Sequence, residues 1–452
     1  MISNSPNQKQ IDLFNNHLSN WIDLRHPLIL LAEKIPWQKI EKAFDGLYSH
    51  TGSPAKAIRR MAGLLILKYL FNLSDERLVA LWKENIYFQY FCGEAYIQKT
   101  PPCAASDLVH FRNRIGEKGV TQLFSISIGL HAKKIKKSHT LLVDTTVQEK
   151  NITYPTDSKL YYKIIMKCNK IAKKVGIKLR QTYHRSAKKL QLTCNHISIK
   201  KKAFRTSLRK LKTLASRQLR DLTRKLKKEN LGLLSHYQPV LKLFNKVLCQ
   251  QKGDKGKIYS LHEPQVSCIV KGKKHKRYEY GNKVSIAALA GSHVIVGLKS
   301  FQIPHHDSKS LSPTLSQVKE LTGQVYKQVV VDRGYRGHPE VEGSQVILPG
   351  NGKGSSPYQK RKRKKQFRQR AGIEGIISHV KQDHRMLRNY LKGNQGDTIN
   401  GMLAAMGFNF KLWLRGMAKI FFYFLALPFR DIVQKLVALF FIFLSQRTFA
   451  SS

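Results

Sequence analysis

The chain has 452 residues, enough for two or three domains, and its 80 Lys+Arg against 28 Asp+Glu give a formal net charge of +52. That surplus opposes compaction unless a polyanion neutralises it, which points to nucleic acid and leaves an anionic membrane surface as the rival partner. A hydrophobic content of 42% excludes a disordered basic tail, and six cysteines without a CxxC pair (Cys92, Cys103, Cys168, Cys194, Cys249, Cys268) exclude a disulfide framework and predict reduced thiols in a cytoplasmic protein.

The opening MISNSPNQKQIDLF has no basic stretch followed by an apolar run and is not read as a signal peptide. Residues 1–135 read as a helical domain suited to binding DNA ends. Pro54 precedes AKAIRRMAGLLILKYLF, where Ile58, Met61, Leu64, Leu65, Tyr69 and Leu70 recur near the helical period. Ser74 reads as an N-cap, with Asp75 and Glu76 at the positive end of a helix whose face is Leu78, Leu81 and Trp82. After Pro101-Pro102, Ser106 reads as the cap of SDLVHFRNRIGEKG, with Arg112 and Arg114 exposed beside Leu108, Phe111 and Ile115. An ordinary helical domain would look alike, and no recognition helix stands out.

TLLVDTTV (140–147) is aliphatic and β-branched on both faces, as a central strand is, with Asp144 inside it. An acid there is costly unless a partner or metal compensates it. Residues 136–160 therefore read as the first part of a catalytic domain, and 161–255 as a basic helical insertion shaped as a hairpin. Between 161 and 230 there are 23 Lys/Arg against only Asp221 and Glu229, so phosphate contact is favoured over a merely solvated helix. Cys194-Asn195-His196 lacks the second ligand pair that zinc would need.

Strand patterns return at KIYSLHEPQVSCIVKG and YEYGNKVSIAALAGSHVIVGLKSF, with turns at Gly272-Lys273 and Gly291-Ser292. His305, His306 and Asp307 read as a surface loop before a helix over 312–321. QVVVD (328–332) is a second buried strand ending in Asp332, followed by a loop with Arg333 and Arg336. SQVILP (344–349) is a third strand, and GNGKGSSPY (350–358) a linker before the bases Lys360, Arg361, Lys362, Arg363, Lys364 and Lys365.

QFRQRAGIEGIISHVKQDHRMLR (366–388) reads as one helix with two unlike faces. Ile373, Ile376, Ile377 and Val380 form an apolar stripe; Phe367, Arg370, Glu374, Lys381 and Arg385 fall opposite, a single carboxylate among bases suited to phosphate. Residues 256–415 complete the catalytic domain. The last region, 416–452, holds apolar stretches at 420–427 and 432–444, each too short to span a bilayer. They read as buried or partner-facing helices, without membrane insertion.

This order predicts an α/β fold: a ribonuclease-H-like catalytic domain, a mixed sheet flanked by helices, with an N-terminal helical domain and a basic insertion after the first strand. Singly, Asp144 could be a buried hydrogen-bonding acid and Asp332 a turn residue. Together with Glu374, in a chain so poor in acids, they favour a site for two Mg²⁺ ions about 3.5–4 Å apart, held by carboxylate oxygens for phosphodiester chemistry.

These blocks resemble the IS5-type DDE transposases of bacterial insertion sequences over most of the chain. That family carries a Tyr-x2-Arg-x3-Glu-x6-Lys signature; here Phe367, Arg370, Glu374 and Lys381 stand at those spacings, with Phe in place of Tyr. LLVDTTVQEKNITYPTDSKLY is similar to the family's first-aspartate block, VVVDRGYRG to its second, SPAKAIRRMAGLLILKYLFNLSDERLVALWKENIYFQYFCGE to its helical domain, and RNYLKGNQGDTINGMLAAMGFNF to its C-terminal block. The resemblance implies Asp144, Asp332 and Glu374 as catalytic metal ligands, Mg²⁺ as cofactor with Mn²⁺ as a substitute, and Arg370 and Lys381 on DNA phosphates. It also implies cleavage at inverted-repeat ends and joining of the 3′-hydroxyl to target double-stranded DNA by a homodimer in a synaptic complex, in the bacterial cytoplasm at the nucleoid. The rival readings are an inactive DNA-binding regulator of the element and a ribonuclease-H-like nuclease or resolvase.

Overall fold

The computed structural model describes residues 17–48, 54–196, 198–229, 231–251, 253–270, 277–303, 305–337, 339–349 and 356–417. The helices expected at 420–427 and 432–444, the opening MISNSPNQKQIDLF and the turn at Gly272-Lys273 lie outside these residues. Among the described residues no helix is long and apolar enough to cross a membrane.

Before the sheet the chain forms α1 (Pro27–Lys34), α2 (Trp37–Asp45), α3 (Ile58–Leu70), α4 (Asp75–Glu84), α5 (Ile86–Phe91), α6 (Ala105–Gly129) and α7 (Ala132–Lys137). Ser74 caps α4 as expected, its side chain accepting from the Arg77 N–H. α6 begins earlier than Ser106: Ala104 is its N-cap, and the Asp107 carboxylate accepts from the Ala104 N–H at 3.0 Å. Arg112 is not exposed. It is buried and forks onto Asp75 at 2.9 and 2.8 Å, while Lys68 reaches the same carboxylate at 2.7 Å. An acid read as a helix-end charge thus joins α3, α4 and α6. Arg114 is exposed, over the Tyr48 ring.

The strands are β1 (Thr140–Lys150), β2 (Ser267–Val270), β3 (Tyr278–Leu289), β4 (Ile295–Phe301), β5 (Gln328–Val330), β6 (Glu340–Val341), β7 (Ser344–Ile347) and β8 (Arg388–Asn389), in one mixed sheet. β1 is central. It pairs antiparallel with β3, which pairs antiparallel with β4 and β2; on its other side it pairs parallel with β5 and, at its end, with β8. β7 continues the sheet parallel to β5. Leu141 and Val143 of β1 share one buried core with Leu65 and Tyr69 of α3 and Phe124 of α6, so the preceding helices are continuous with the sheet in their packing.

Residues 257–266 are not a strand. Their apolar residues Ile258 and Leu261 instead pack into the helices between β1 and β2, which explains a strand-like pattern outside the sheet. Those helices are four rather than a hairpin: α8 (Asp157–Val175), α9 (His184–Asn195), α10 (Lys201–Glu229) and α11 (Leu231–Cys249). They enclose a core of their own, including Ile164, Ile165, Leu211, Leu222 and Phe244. The Leu spacing of α10 serves an internal face, and bases fill the remaining faces.

α12 (Asp307–Thr322) starts ahead of the expected 312–321 and runs through Pro313. It packs on β4, where a Cβ on Gly297 would stand 2.6 Å from Val318. α13 (Pro357–Asp383) differs from the expected 366–388 at both ends. Ser356 accepts from the Gln359 N–H, and Pro357 fits the first turn, so the run Lys360–Lys365 is helical. At the other end Arg385 adopts φ +66° and donates to the Asn72 carbonyl, leaving the helix face it was assigned to. A last helix, α14, spans 393–417.

Candidate active site

The register explains where the acids meet. Leu142 of β1 lies beside Val330 of β5 in parallel pairing. Two residues on in each segment, just past the last paired position, stand Asp144 and Asp332; the parallel register, at a strand spacing of about 4.8 Å, carries them toward one level. Side chains alternate across a sheet, so both acids face the side on which Ile373 of α13 packs against Leu142 and Val330. One turn before Ile373, Arg370 brings its Nη2 to 3.6 Å from Asp144 and 4.0 Å from Asp332.

Burial pushes the Asp144 carboxyl above its usual range, with the Asp332 and Asp307 charges adding and the Thr145 N–H and Arg370 opposing. The Thr145 N–H donates to Asp144 at 2.7 Å, and the Gly334 N–H to Asp332 at 2.8 Å. Asp332 therefore caps its turn while its other carboxylate oxygen faces Arg370, so a turn role and a place beside Asp144 do not compete. Tyr335 lies buried beneath, its hydroxyl pushed well up by burial and by the charges of Asp144, Asp307 and Asp332.

Glu374 follows Arg370 by four residues on the same face, about 6 Å along the axis, and is exposed. Lys381 lies two turns further on that face. Arg333 and Arg336 are exposed on the loop after β5, and Lys360, Arg361, Arg363, Lys364 and Lys365 are exposed along the first turns of α13. Lys362 belongs to the same run.

His305 and His306 are exposed, as a surface loop requires. Asp307 departs from that expectation. It opens α12 and turns its carboxylate inward, accepting from Thr145 Oγ1 at 2.6 Å. The available signal was an acid at the start of a helix following an antiparallel strand, too common a pattern to single out.

Among the described residues no group of three His, Cys, Asp or Glu side chains could hold a metal ion as they stand. The donor chemistry nonetheless fits a hard divalent cation. Two carboxylates converge on one positive charge, and the separations from Arg370 exceed hydrogen-bond length, so the guanidinium compensates them by charge. Its Nε is buried without a hydrogen-bond partner.

Antiparallel strands on one side of β1, parallel strands on the other, and acids level at their junction define the ribonuclease-H-like class of nucleic-acid-processing domain. Residues 250–410 match the family described as Transposase DDE domain, and 16–114 the family described as Transposase domain (DUF772). The chain is 42% identical over 188 residues to an uncharacterized protein, ORF8 of the nfe locus of Rhizobium meliloti, a match covering 41% of this chain and 91% of that protein. No solved structure matches. The chain belongs to the DDE transposases of insertion sequences. Asp332 and Glu374 fall inside the DDE match, whereas Asp144 and the four-helix bundle lie between the two matched regions.

Proposed function

We propose that this transposase cuts DNA at the inverted-repeat ends of its element and joins the freed 3′-hydroxyl to target DNA, with Asp144, Asp332 and Glu374 as its catalytic carboxylates. The level placement of Asp144 and Asp332 under Arg370 is the observation that supports this reading. The three acids would hold two Mg²⁺ ions, which supply an activated attacking oxygen and a stabilised leaving oxygen. Arg370 offers its guanidinium to the scissile phosphate, since charge alone ties it to the aspartates. Lys381, Arg333, Arg336 and the bases 360–365 extend a cationic track for the flanking backbone. The region 1–135 grips the DNA ends, 161–255 adds backbone contacts, and two copies hold the paired ends.

The test is a supercoiled plasmid carrying the element, incubated with purified protein and Mg²⁺. Joined 3′ ends are expected. Cut but never joined ends would favour a nuclease or resolvase, and binding without cutting an inactive regulator.

The bundle makes a separate prediction. Arg180, Arg217, Arg220 and Arg224 line a cleft of about 430 Å³ whose lining includes one carboxylate, Asp221, already engaged by Arg224 and Lys225. Arg217→Ala/Arg220→Ala is expected to flatten the slope of log affinity against log salt by about 2, close to 0.9 for each DNA phosphate that the protein no longer neutralises. Anisotropy titrations between roughly 50 and 200 mM salt check this; an unchanged slope removes these arginines from the DNA interface.

A further inference from the structure

We propose that Asp307 is a positioning residue of the active site, holding the Asp144 strand and the Asp332 loop in register for metal binding. This rests on the reading of Asp144 and Asp332 as metal carboxylates. Asp307 ties together three elements that the chain brings from far apart. Its Oδ1 accepts from Thr145 Oγ1 at 2.6 Å, next to Asp144 on β1. The same oxygen pairs with Lys283 Nζ of β3 at 2.5 Å, and that ammonium also donates to the His305 carbonyl at 2.7 Å. On its other side Asp307 meets the loop after β5: a Cβ built on Gly334 would stand 2.9 Å from Asp307 Oδ2 and 3.0 Å from Asp332 Oδ1. Both carboxylates thus flank one glycine, which leaves no room for a side chain between them.

The arrangement has a physical logic. Lys283 balances the Asp307 charge, so Asp307 can sit beside two further acids without driving them apart. Thr145 is locked by its hydroxyl while its N–H holds Asp144, which fixes the rotation of that carboxylate from behind. Partners of this kind, one bond removed from a metal, typically alter metal affinity by about 10–100-fold when removed.

The test uses the full-length protein. Mg²⁺ is titrated by calorimetry without DNA, and cleavage of an end-bearing duplex is followed at graded Mg²⁺. Asp307→Ala is expected to weaken Mg²⁺ binding and raise the half-saturating Mg²⁺ for cleavage by about 10-fold, with DNA affinity unchanged. Asp307→Glu, which keeps the charge, is expected to recover part of that loss, a rescue that a purely structural role would not give. Thr145→Val, nearly isosteric and aimed at one hydrogen bond, is expected to cost about fivefold in Mg²⁺ affinity. Wild-type Mg²⁺ affinity in Asp307→Ala overturns the proposal, whatever its thermal stability; should that variant not fold, wild-type affinity in Thr145→Val overturns it equally. Wild-type protein that binds no Mg²⁺ sinks the metal reading itself, whereas retained affinity in the variants sinks only the role given to Asp307.

Discussion

Asp144→Asn is expected to lower DNA cleavage by at least about 10³-fold, the several kcal/mol that metal-assisted charge stabilisation supplies, while the folded protein loses no stability. The two halves of that expectation have one cause. The Asp144 carboxylate is largely buried, and burial raises its pKa, so keeping it ionised costs folding free energy. Asparagine keeps the shape and the acceptor for the Thr145 N–H, yet sheds the charge. A residue retained for stability would behave the other way round, destabilising the fold when neutralised. Asp332→Asn and Glu374→Gln are expected to abolish cleavage likewise. In all three the DNA affinity should hold or rise slightly, because a negative charge has been removed beside the proposed phosphate track. Electrophoretic binding, cleavage of an end-bearing duplex and a melting curve on each variant check the set; cleavage within tenfold of wild type would remove that residue from the catalytic trio.

The strands that carry or lead to Asp144 and Asp332 were legible because they are written in strong local patterns. TLLVDTTV and QVVVD are runs that only a buried strand explains, and parallel register then levels their acids. The apolar stripe of α13 was equally plain, since Ile373, Ile376 and Val380 are all buried where the period puts them. Its true start was hidden by a Gly- and Ser-rich approach and by six successive bases, which carry no periodicity to extend. Arg112, Asp307 and Lys150 share a different difficulty. Each is a charged residue whose partner lies on another element, and no single-segment pattern records a pairing across 37, 162 or 247 positions. The bundle shows the same limit at a larger scale: its helices were visible in the Leu spacing, whereas their number depended on how short polar joints turn the chain.

Lys150→Met is expected to destabilise the fold by about 3–5 kcal/mol, the usual penalty for leaving buried carboxylates without their cation. Lys150 ends β1 and is buried; its Nζ lies 2.5 Å from Asp397 Oδ1 and 3.4 Å from Glu263 Oε2, and donates to the Gly393 carbonyl at 3.1 Å. Asn389 of β8 donates to the same Asp397 oxygen at 2.6 Å. Gln148 donates to the Asp397 carbonyl and accepts from Asn400, whose side-chain oxygen receives the Tyr69 hydroxyl. These polar residues of the 388–410 block thus bind β1, β8, α14 and α3 into one network. Burial pushes the Asp397 carboxyl up, with Lys150 first and the Asn389 amide after it holding it down, so Lys150 supplies the positive charge that the acid leans on. Adding Asp397→Asn to Lys150→Met should therefore recover part of the loss, as neighbouring sites in one network are not additive. Denaturant unfolding of the single and double variants reads this directly, and a single-variant cost below about 1 kcal/mol would mean that the pair contributes no more than an exposed one. The same variant carries a consequence for the active site. Lys150 is six residues from Asp144, about 20 Å along the strand, yet β8 follows directly on the end of α13. Once the network is broken, the helix bearing Arg370 and Glu374 keeps its ties to Asn72 and Tyr69 but loses the support of β8 beyond its end, and cleavage should fall further than the lost population of folded protein explains.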